Sequence, residues 1–231
     1  MNVAKPAATV IVLRDGDAGP ELIMAKRSRK VGFFPSAWVF PGGRVDAVDS
    51  QFPHVGTVAQ LVDQSFAVAA VRECFEEVGC WLGNGMPSAT LRTELNHRTG
   101  QLPLDGSLVA DLSRMRQWSW WITPDTEPKR YDTRFFVCCL RPEEATSISQ
   151  DEQETVEVCW IRPAEALQRH RDGSMFMAPP TVLTLVELQE YISLAQIWSA
   201  ANRRQVEPIQ PIHDKSGPTL QILLPTHPKH P

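Results

Sequence analysis

The sequence predicts a mixed α/β (α+β) fold, with a curved mixed β-sheet sandwiched between helices. Short runs of β-branched and aromatic residues, typical of strands, occur at residues 8–13, 22–25, 118–122, 134–140 and 155–161. From Ser65 onward the apolar residues recur at helical spacing instead, and connections rich in glycine and proline separate the segments. The chain has 231 residues, of which 42% are hydrophobic, so its length and composition suit one globular domain with a real core.

The first two runs predict a β-hairpin, because Asp15, Gly16 and Asp17 supply turn-forming residues between them. Basic residues follow the second run directly, Arg27 and Arg29 among them. The chain then continues through an aromatic stretch interrupted by glycine and proline, which ends at Gly43.

A helix is predicted to begin at Ser65 and to end at Gly79. Its apolar residues follow the spacing i, i+4, i+7 and i+11, at Ala67, Val71, Cys74 and Val78. Ser65 is a suitable N-cap, and a glycine is the preferred residue just beyond a helix C-terminus.

The remaining elements are predicted from weaker signals. Residues 83–107 form an irregular connection with a helix near 90–97, residues 163–170 form a short helix with proline in its first turn, and residues 181–200 form one longer helix. Six prolines fall in the last thirty residues. We therefore expect a domain over residues 1–200 and a proline-rich C-terminal arm over residues 201–231.

Composition excludes several classes of protein. The net charge of −4 argues against a general nucleic-acid binder, whose phosphate contacts require a basic excess. No apolar window is long enough to span a membrane, and the N-terminal residues do not match a secretory signal peptide. The five cysteines do not suggest a disulfide framework, and Cys74, Cys138 and Cys159 are predicted to be small buried side chains. A cytoplasmic location is expected.

Three glutamates lie on one face of the predicted helix, because Glu73, Glu76 and Glu77 are spaced i, i+3 and i+4. Like charges at this spacing repel one another by a few tenths of a kcal/mol per pair, roughly. A bound divalent cation would offset that repulsion, and Mg²⁺ prefers such oxygen ligands. A solvated acidic face that pairs with Arg72 is the alternative interpretation.

The region from Phe40 to Cys80 resembles the signature of the Nudix hydrolases. Gly42 and Gly43 precede the helix, and the segment Arg72-Glu73-Cys74-Phe75-Glu76-Glu77-Val78-Gly79-Cys80 matches the second half of the box at every fixed position. The box spans residues 43–80 with two departures. Asp49 stands where the family has glutamate, and an insertion of fifteen residues, about 50–64, separates it from Arg72.

The resemblance implies the Nudix fold and cleavage of a nucleoside diphosphate linked to another moiety, with Mg²⁺ or Mn²⁺ as cofactor. It implies that the three glutamates are catalytic metal ligands and that Gly43 adds its backbone carbonyl. Gly42, Arg72, Gly79 and Asp49 would be structural residues of the box, with Arg72 orienting a glutamate. A homodimer is the oligomeric state that the family suggests.

Candidates outside the box follow from charge and position. Glu154, favoured over Glu152, is the candidate general base, although a solvated acidic turn and a box glutamate acting as base stay open. Arg27, Arg29 and Arg44 are candidate substrate-binding residues, with surface charge as the alternative. The cluster Trp118, Trp120 and Trp121 can stack a nucleotide base or belong to the core.

A narrower resemblance concerns the branch that includes peroxisomal coenzyme A diphosphatases. It rests on residues 27–50, on residues 129–137 and on the segment Ala178-Pro179-Pro180-Thr181. It implies coenzyme A or an acyl-coenzyme A as the nucleotide-linked small-molecule substrate. ADP-ribose, nucleotide sugars and dinucleoside polyphosphates are alternative substrates, and a non-catalytic nucleotide-binding module is an alternative of another class.

Overall fold

The computed structural model describes residues 3–30, 34–59, 61, 63–97, 99–141, 148–151, 153–214 and 221–223. In these residues the strands are β1 Lys5–Gly16, β2 Gly19–Arg27, β3 Trp38–Val39, β4 Gly42–Arg44, β5 His54–Val55, β6 Gly83–Asn84, β7 Val109–Asp111, β8 Met115–Ile122, β9 Tyr131–Cys139, β10 Thr155–Ile161, β11 Pro208–Ile209, β12 Ile212–Asp214 and β13 Gln221–Leu223. The helices are α1 Ser65–Val78, α2 Leu91–Asn96, α3 Pro163–Arg171, α4 Pro179–Leu188 and α5 Leu194–Arg203. Short 3₁₀ turns lie at Ala47–Ser50 and Leu112–Arg114.

The main sheet is mixed, as the sequence predicts. Within the described ranges its strand order is β10-β2-β1-β9-β8-β11, with β3 beside β2 and β4 beside β1. The central pair β1–β9 is parallel, and the hairpin β1–β2 and the pair β8–β9 are antiparallel.

Alternate side chains of β1 enter two different cores, since successive residues of a strand point to opposite faces. Val10 and Val12 pack with the apolar side of α1. Ile11 and Leu13 pack with residues of α3, α4 and α5 on the other face. The predicted sheet between helices is therefore confirmed.

The strand β1 changes partner along its length, and this change positions the candidate site. Residues Leu13–Gly16 pair with β2, whereas Ala7–Thr9 pair with β4. β4 is therefore part of the sheet, and it also contacts α1. A Cβ atom on Gly42 would lie 2.3 Å from the Ala8 carbonyl oxygen, so this close approach requires glycine.

The structure corrects two details of the predicted helices. Ser65 is not the N-cap of α1: it is the first helical residue, and its N–H donates to Asp63 Oδ1 at 2.9 Å. Residues 181–200 do not form one helix, because the chain breaks after Leu188 and restarts at Leu194. Ser193 caps the second helix by accepting a hydrogen bond from the Gln196 N–H.

The insertion in the box contributes to a second sheet. Its strand β5 pairs with β7, which also pairs with β6, in the order β5-β7-β6. The inserted chain is thus anchored to residues that follow α1.

The C-terminal segment folds back onto the sheet. α5 continues to Arg203, and β11 then runs parallel to β8, with Ile209 opposite Trp121. No helix among the described residues has the length and apolar character needed to cross a membrane.

Candidate active site

A cavity of about 930 Å³ opens where β4 meets the C-terminal half of α1. One side carries the predicted acidic cluster, Glu73, Glu76 and Glu77. Another side is apolar and is built by Val39, Phe40, Trp121, Phe135, Ala178, Pro179, Pro180 and Pro211. The cavity thus joins a charged wall to an apolar one, a combination typical of small-molecule sites.

Two of the three glutamates are held against the glycines of β4. Glu77 Oε2 accepts a hydrogen bond from the Gly42 N–H at 3.0 Å. A Cβ atom on Gly43 would lie 2.4 Å from Glu73 Cδ, so the backbone at Gly43 directly faces that carboxylate. The two consecutive glycines therefore allow the chain to touch the acidic face of α1.

Arg72 forms hydrogen-bonded ion pairs with both the acidic cluster and Asp49. Its Nε and Nη2 donate to the two carboxylate oxygens of Asp49 at 2.8 and 2.9 Å, and both side chains are nearly inaccessible to solvent. Its Nη1 donates to Glu73 at 2.9 Å and to Glu76 at 3.3 Å. Arg72 therefore orients two of the glutamates.

Asp49 reaches Arg72 despite the insertion, because a 3₁₀ turn directs its carboxylate inward. Its Oδ2 accepts a hydrogen bond from the Asp46 N–H at 2.7 Å. The side chain of Gln64, which occupies the box position counted back from Arg72, instead bonds the backbone of Val58 and Leu61.

Burial makes the charged form of these carboxylates costly. Desolvation raises the pKa of Glu73 to about 7, against the opposing effect of Arg72. Burial, and then the negative charge of Glu73, holds the pKa of Glu77 well above its usual range. Burial also raises the pKa of Glu76. A nearby cation would favour the charged forms again.

The residues at this wall fit a hard divalent cation by their donor chemistry. Glu73, Glu76, Glu77 and the Gly43 carbonyl offer only oxygen atoms, which Mg²⁺ and Mn²⁺ prefer. Within the part of the chain that the structure describes, no group of three or more acidic, histidine or cysteine side chains already converges on one metal position. Arg72 contacts Glu73 and Glu76 instead.

Glu154 faces the acidic cluster from the loop before β10. It lines the cavity, and its charge raises the pKa of Glu73 and Glu77, although less than burial does. Asp151 also lines the cavity, but its carboxylate accepts hydrogen bonds from the N–H groups of Gln153, Glu154 and Thr155. The other predicted candidate, Glu152, lies outside the described residues.

Two of the three predicted substrate-binding arginines line the cavity, and the third does not. Arg27 and Arg44 line the cavity. Arg29 is exposed in the turn after β2 and is not among the residues lining the cavity. The box residue Gly79 ends α1 in the left-handed conformation, with φ of 74°, which glycine adopts without strain.

The tryptophans and cysteines behave mainly as packing residues. Trp118 is fully buried, whereas Trp121, which is 7% exposed, reaches the cavity wall. Cys74 and Cys138 are buried as predicted, and Cys159 is only partly buried.

Sequence reasoning predicted the positioning role of Arg72 and named Trp121, but it missed most of the apolar wall and the contacts of Arg92. The segment Ala178-Pro179-Pro180-Thr181 entered only as part of a resemblance, yet it begins α4 and lines the cavity. Arg92 on α2, which contacts the C-terminal end of α1, carries no local sequence signal.

Comparison with known proteins identifies the family. A family model described as the NUDT19 Nudix domain matches residues 58–188, more than half of the chain. The acyl-coenzyme A diphosphatases NUDT19 of Gallus gallus and Homo sapiens are 28% and 27% identical over 83% of this chain. The putative nudix hydrolase 7 of Caenorhabditis elegans is 32% identical over 73% of it. These alignments cover 67%, 66% and 56% of the respective relatives.

Solved structures give the same assignment of fold. The NUDIX hydrolase from Alicyclobacillus acidocaldarius superposes with a TM-score of 0.77 at 26% identity, over 90% of this chain and 100% of that one. The glycines of β4, the glutamates of α1 and the family match over residues 58–188 lead to one conclusion: this chain belongs to the Nudix hydrolase family and contains a NUDT19-type Nudix domain.

Proposed function

We propose that this chain is a metal-dependent hydrolase of the pyrophosphate bond in coenzyme A or an acyl-coenzyme A. The observation that carries the proposal is the acidic wall of the cavity, where Glu73 and Glu77 meet the backbone of Gly43 and Gly42. Burial disfavours the charged form of these carboxylates and a bound cation favours it, and a divalent ion there would meet the phosphates of a ligand in the cavity.

Mg²⁺ or Mn²⁺, when bound, would neutralise charge on the pyrophosphate and lower the pKa of a coordinated water. Glu73, Glu76, Glu77 and the Gly43 carbonyl would hold it. Arg72 orients Glu73 and Glu76, and Asp49 in turn fixes Arg72. These contacts limit how far the carboxylates move when a ligand enters.

Glu154 is the proposed general base. It would take a proton from water as the water oxygen forms a bond to phosphorus, while the bond from phosphorus to the bridging oxygen breaks. The bridging oxygen leaves with the second phosphate, so two phosphate-containing products result. Arg27 and Arg44, on the same cavity, place positive charge near the phosphates.

Two observations support coenzyme A esters as the substrate class. The relatives from Gallus gallus, Xenopus laevis and Homo sapiens carry the name acyl-coenzyme A diphosphatase. The cavity also has an apolar wall, which includes Trp121, Phe135 and Pro179, in addition to its charged one. An apolar wall suits the uncharged tail of such a substrate better than a second nucleotide.

Product release from a substrate panel with Mg²⁺ or Mn²⁺ tests the proposal. The panel holds coenzyme A, acyl-coenzyme A, ADP-ribose, a nucleotide sugar and a dinucleoside polyphosphate. We expect coenzyme A esters to be cleaved and 3′-phospho-ADP to compete with them. Glu77→Gln should abolish turnover, whereas Glu165→Gln, an exposed glutamate of α3, should not change it.

The alternatives give different results in the same panel. Cleavage of ADP-ribose without inhibition by 3′-phospho-ADP would replace the proposed substrate. Binding of a panel member, seen as a raised melting temperature, without any turnover would instead identify a non-catalytic nucleotide-binding module.

A further inference from the structure

The C-terminal end of α1 carries the glutamates and needs partners for its last carbonyl groups, which have no hydrogen bond within the helix. Phe75 O accepts from the Gly79 N–H at 2.9 Å, and Val78 O accepts from the Ser149 N–H at 3.1 Å. Glu76 O accepts from Asn96 Nδ2 at 3.2 Å, and the carbonyls of Glu76 and Glu77 both accept hydrogen bonds from one other side chain of α2.

That side chain is Arg92. Its Nε donates to Glu76 O at 2.9 Å, and its Nη2 donates to Glu77 O at 2.8 Å. A cation at this end of a helix is also favoured by the helix dipole. The guanidinium therefore binds the backbone carbonyls of two residues whose side chains form the acidic wall.

The same guanidinium also donates hydrogen bonds to Ser149, in the segment that leads to Glu154. Its Nη1 donates to Ser149 Oγ at 2.8 Å, and its Nη2 donates to Ser149 O at 2.7 Å. Ser149 lies five residues before Glu154, and the carboxylate of Asp151 accepts hydrogen bonds from the N–H groups of Glu154 and Thr155. The backbone carbonyl of Glu154 accepts a hydrogen bond from the Ser28 N–H at 2.7 Å. Ser149 and Glu154 are therefore each bonded to another part of the structure.

We propose that Arg92 is a positioning residue: it fixes the loop that carries Glu154 to the helix that carries Glu76 and Glu77. The proposal rests on the proposed function, because it assumes that Glu154 acts as base on a water held at the glutamates. A planar guanidinium with five donors spans both segments, whereas a lysine ammonium cannot reproduce this fork.

A double-mutant cycle tests the proposal with coenzyme A as substrate and Mg²⁺ present. Misplacing a catalytic group by about 1 Å costs up to about 100-fold in rate, so we expect Arg92→Ala to lower kcat by roughly 30-fold with KM changed less than about twofold. In the Glu154→Gln background the same change should cost less than about threefold, since residues that act as a unit are not additive.

Two further variants separate positioning from folding. Arg92→Lys should fold and still lose most of the kcat, and millimolar guanidinium should restore part of the activity of Arg92→Ala. Arg116→Ala is the matched control, because Arg116 also makes several hydrogen bonds, to Asn202, Ser113 and Met115. It lies away from the cavity, and its kcat per folded molecule should equal that of wild type.

Each contrary result has its own meaning. An equal loss of kcat in both backgrounds, or full activity of Arg92→Lys, would overturn the positioning role. Full activity of Glu154→Gln would also overturn the positioning role, because it would show that Glu154 is not the base. Metal-dependent hydrolysis would still stand. A wild-type protein that cleaves no panel member would instead overturn the proposed function.

Discussion

The ion pair between Asp49 and Arg72 offers the sharpest test of how the site is built. Asp49 is 1% exposed, and both of its oxygens accept hydrogen bonds from Arg72. Breaking a buried pair by removing one partner typically costs 3–5 kcal/mol, because the other charge stays buried. Arg72 keeps Glu73 and Glu76 as partners, so we expect Asp49→Ala to cost about 3 kcal/mol, the lower end of that range.

Urea denaturation of the wild type and the variant measures this difference, with Glu21→Gln as the control. Glu21 also pairs with an arginine, Arg14, at 2.7 Å, but both side chains are about a quarter exposed. Exposed pairs contribute about 1 kcal/mol or less. Equal losses for the two variants, or a loss below about 1 kcal/mol for Asp49→Ala, would refute the assignment of Asp49 as the buried anchor of Arg72.

Three further predictions concern the site. Gly43→Ala should weaken Mn²⁺ binding at least about tenfold, measured by calorimetry, because its Cβ would lie 2.4 Å from Glu73 Cδ and displace that carboxylate; unchanged affinity would contradict a ligand role for Glu73. Without metal, the melting temperature should fall as the pH rises from about 4.5 to 7, because a raised folded-state pKa near 7 at Glu73 means that the folded state binds the proton more tightly; a flat profile would contradict this burial. Trp121→Ala should raise KM for an acyl-coenzyme A more than for coenzyme A, as steady-state kinetics would show; equal changes would place the acyl group elsewhere.

Local patterns predicted much of the framework. Helical spacing located α1 and placed its three glutamates on one face, and the turn residues after Leu13 located the β1–β2 hairpin. The glycine at position 79 marked the helix end because left-handed backbone conformation there favours glycine. These features depend on residues within about one helix or hairpin of each other.

Contacts between distant segments could not be predicted in the same way. Asp49 and Arg72 are separated by the insertion, and no periodic pattern connects them. The hydrogen bond between Arg92 and Ser149 joins residues that are 57 positions apart in the sequence. The break between α4 and α5 was missed because the apolar spacing continues across it, whereas Ser193 restarts the helix as an N-cap.

The central claim is that the acidic wall of the cavity binds a divalent cation that hydrolysis requires. The most direct measurement is cleavage of coenzyme A by the wild type with Mg²⁺, with excess EDTA, and by Glu77→Gln with Mg²⁺. The account predicts turnover only in the first case, with a loss of at least about 100-fold in the other two. Turnover that survives both EDTA and the loss of the Glu77 carboxylate would contradict it.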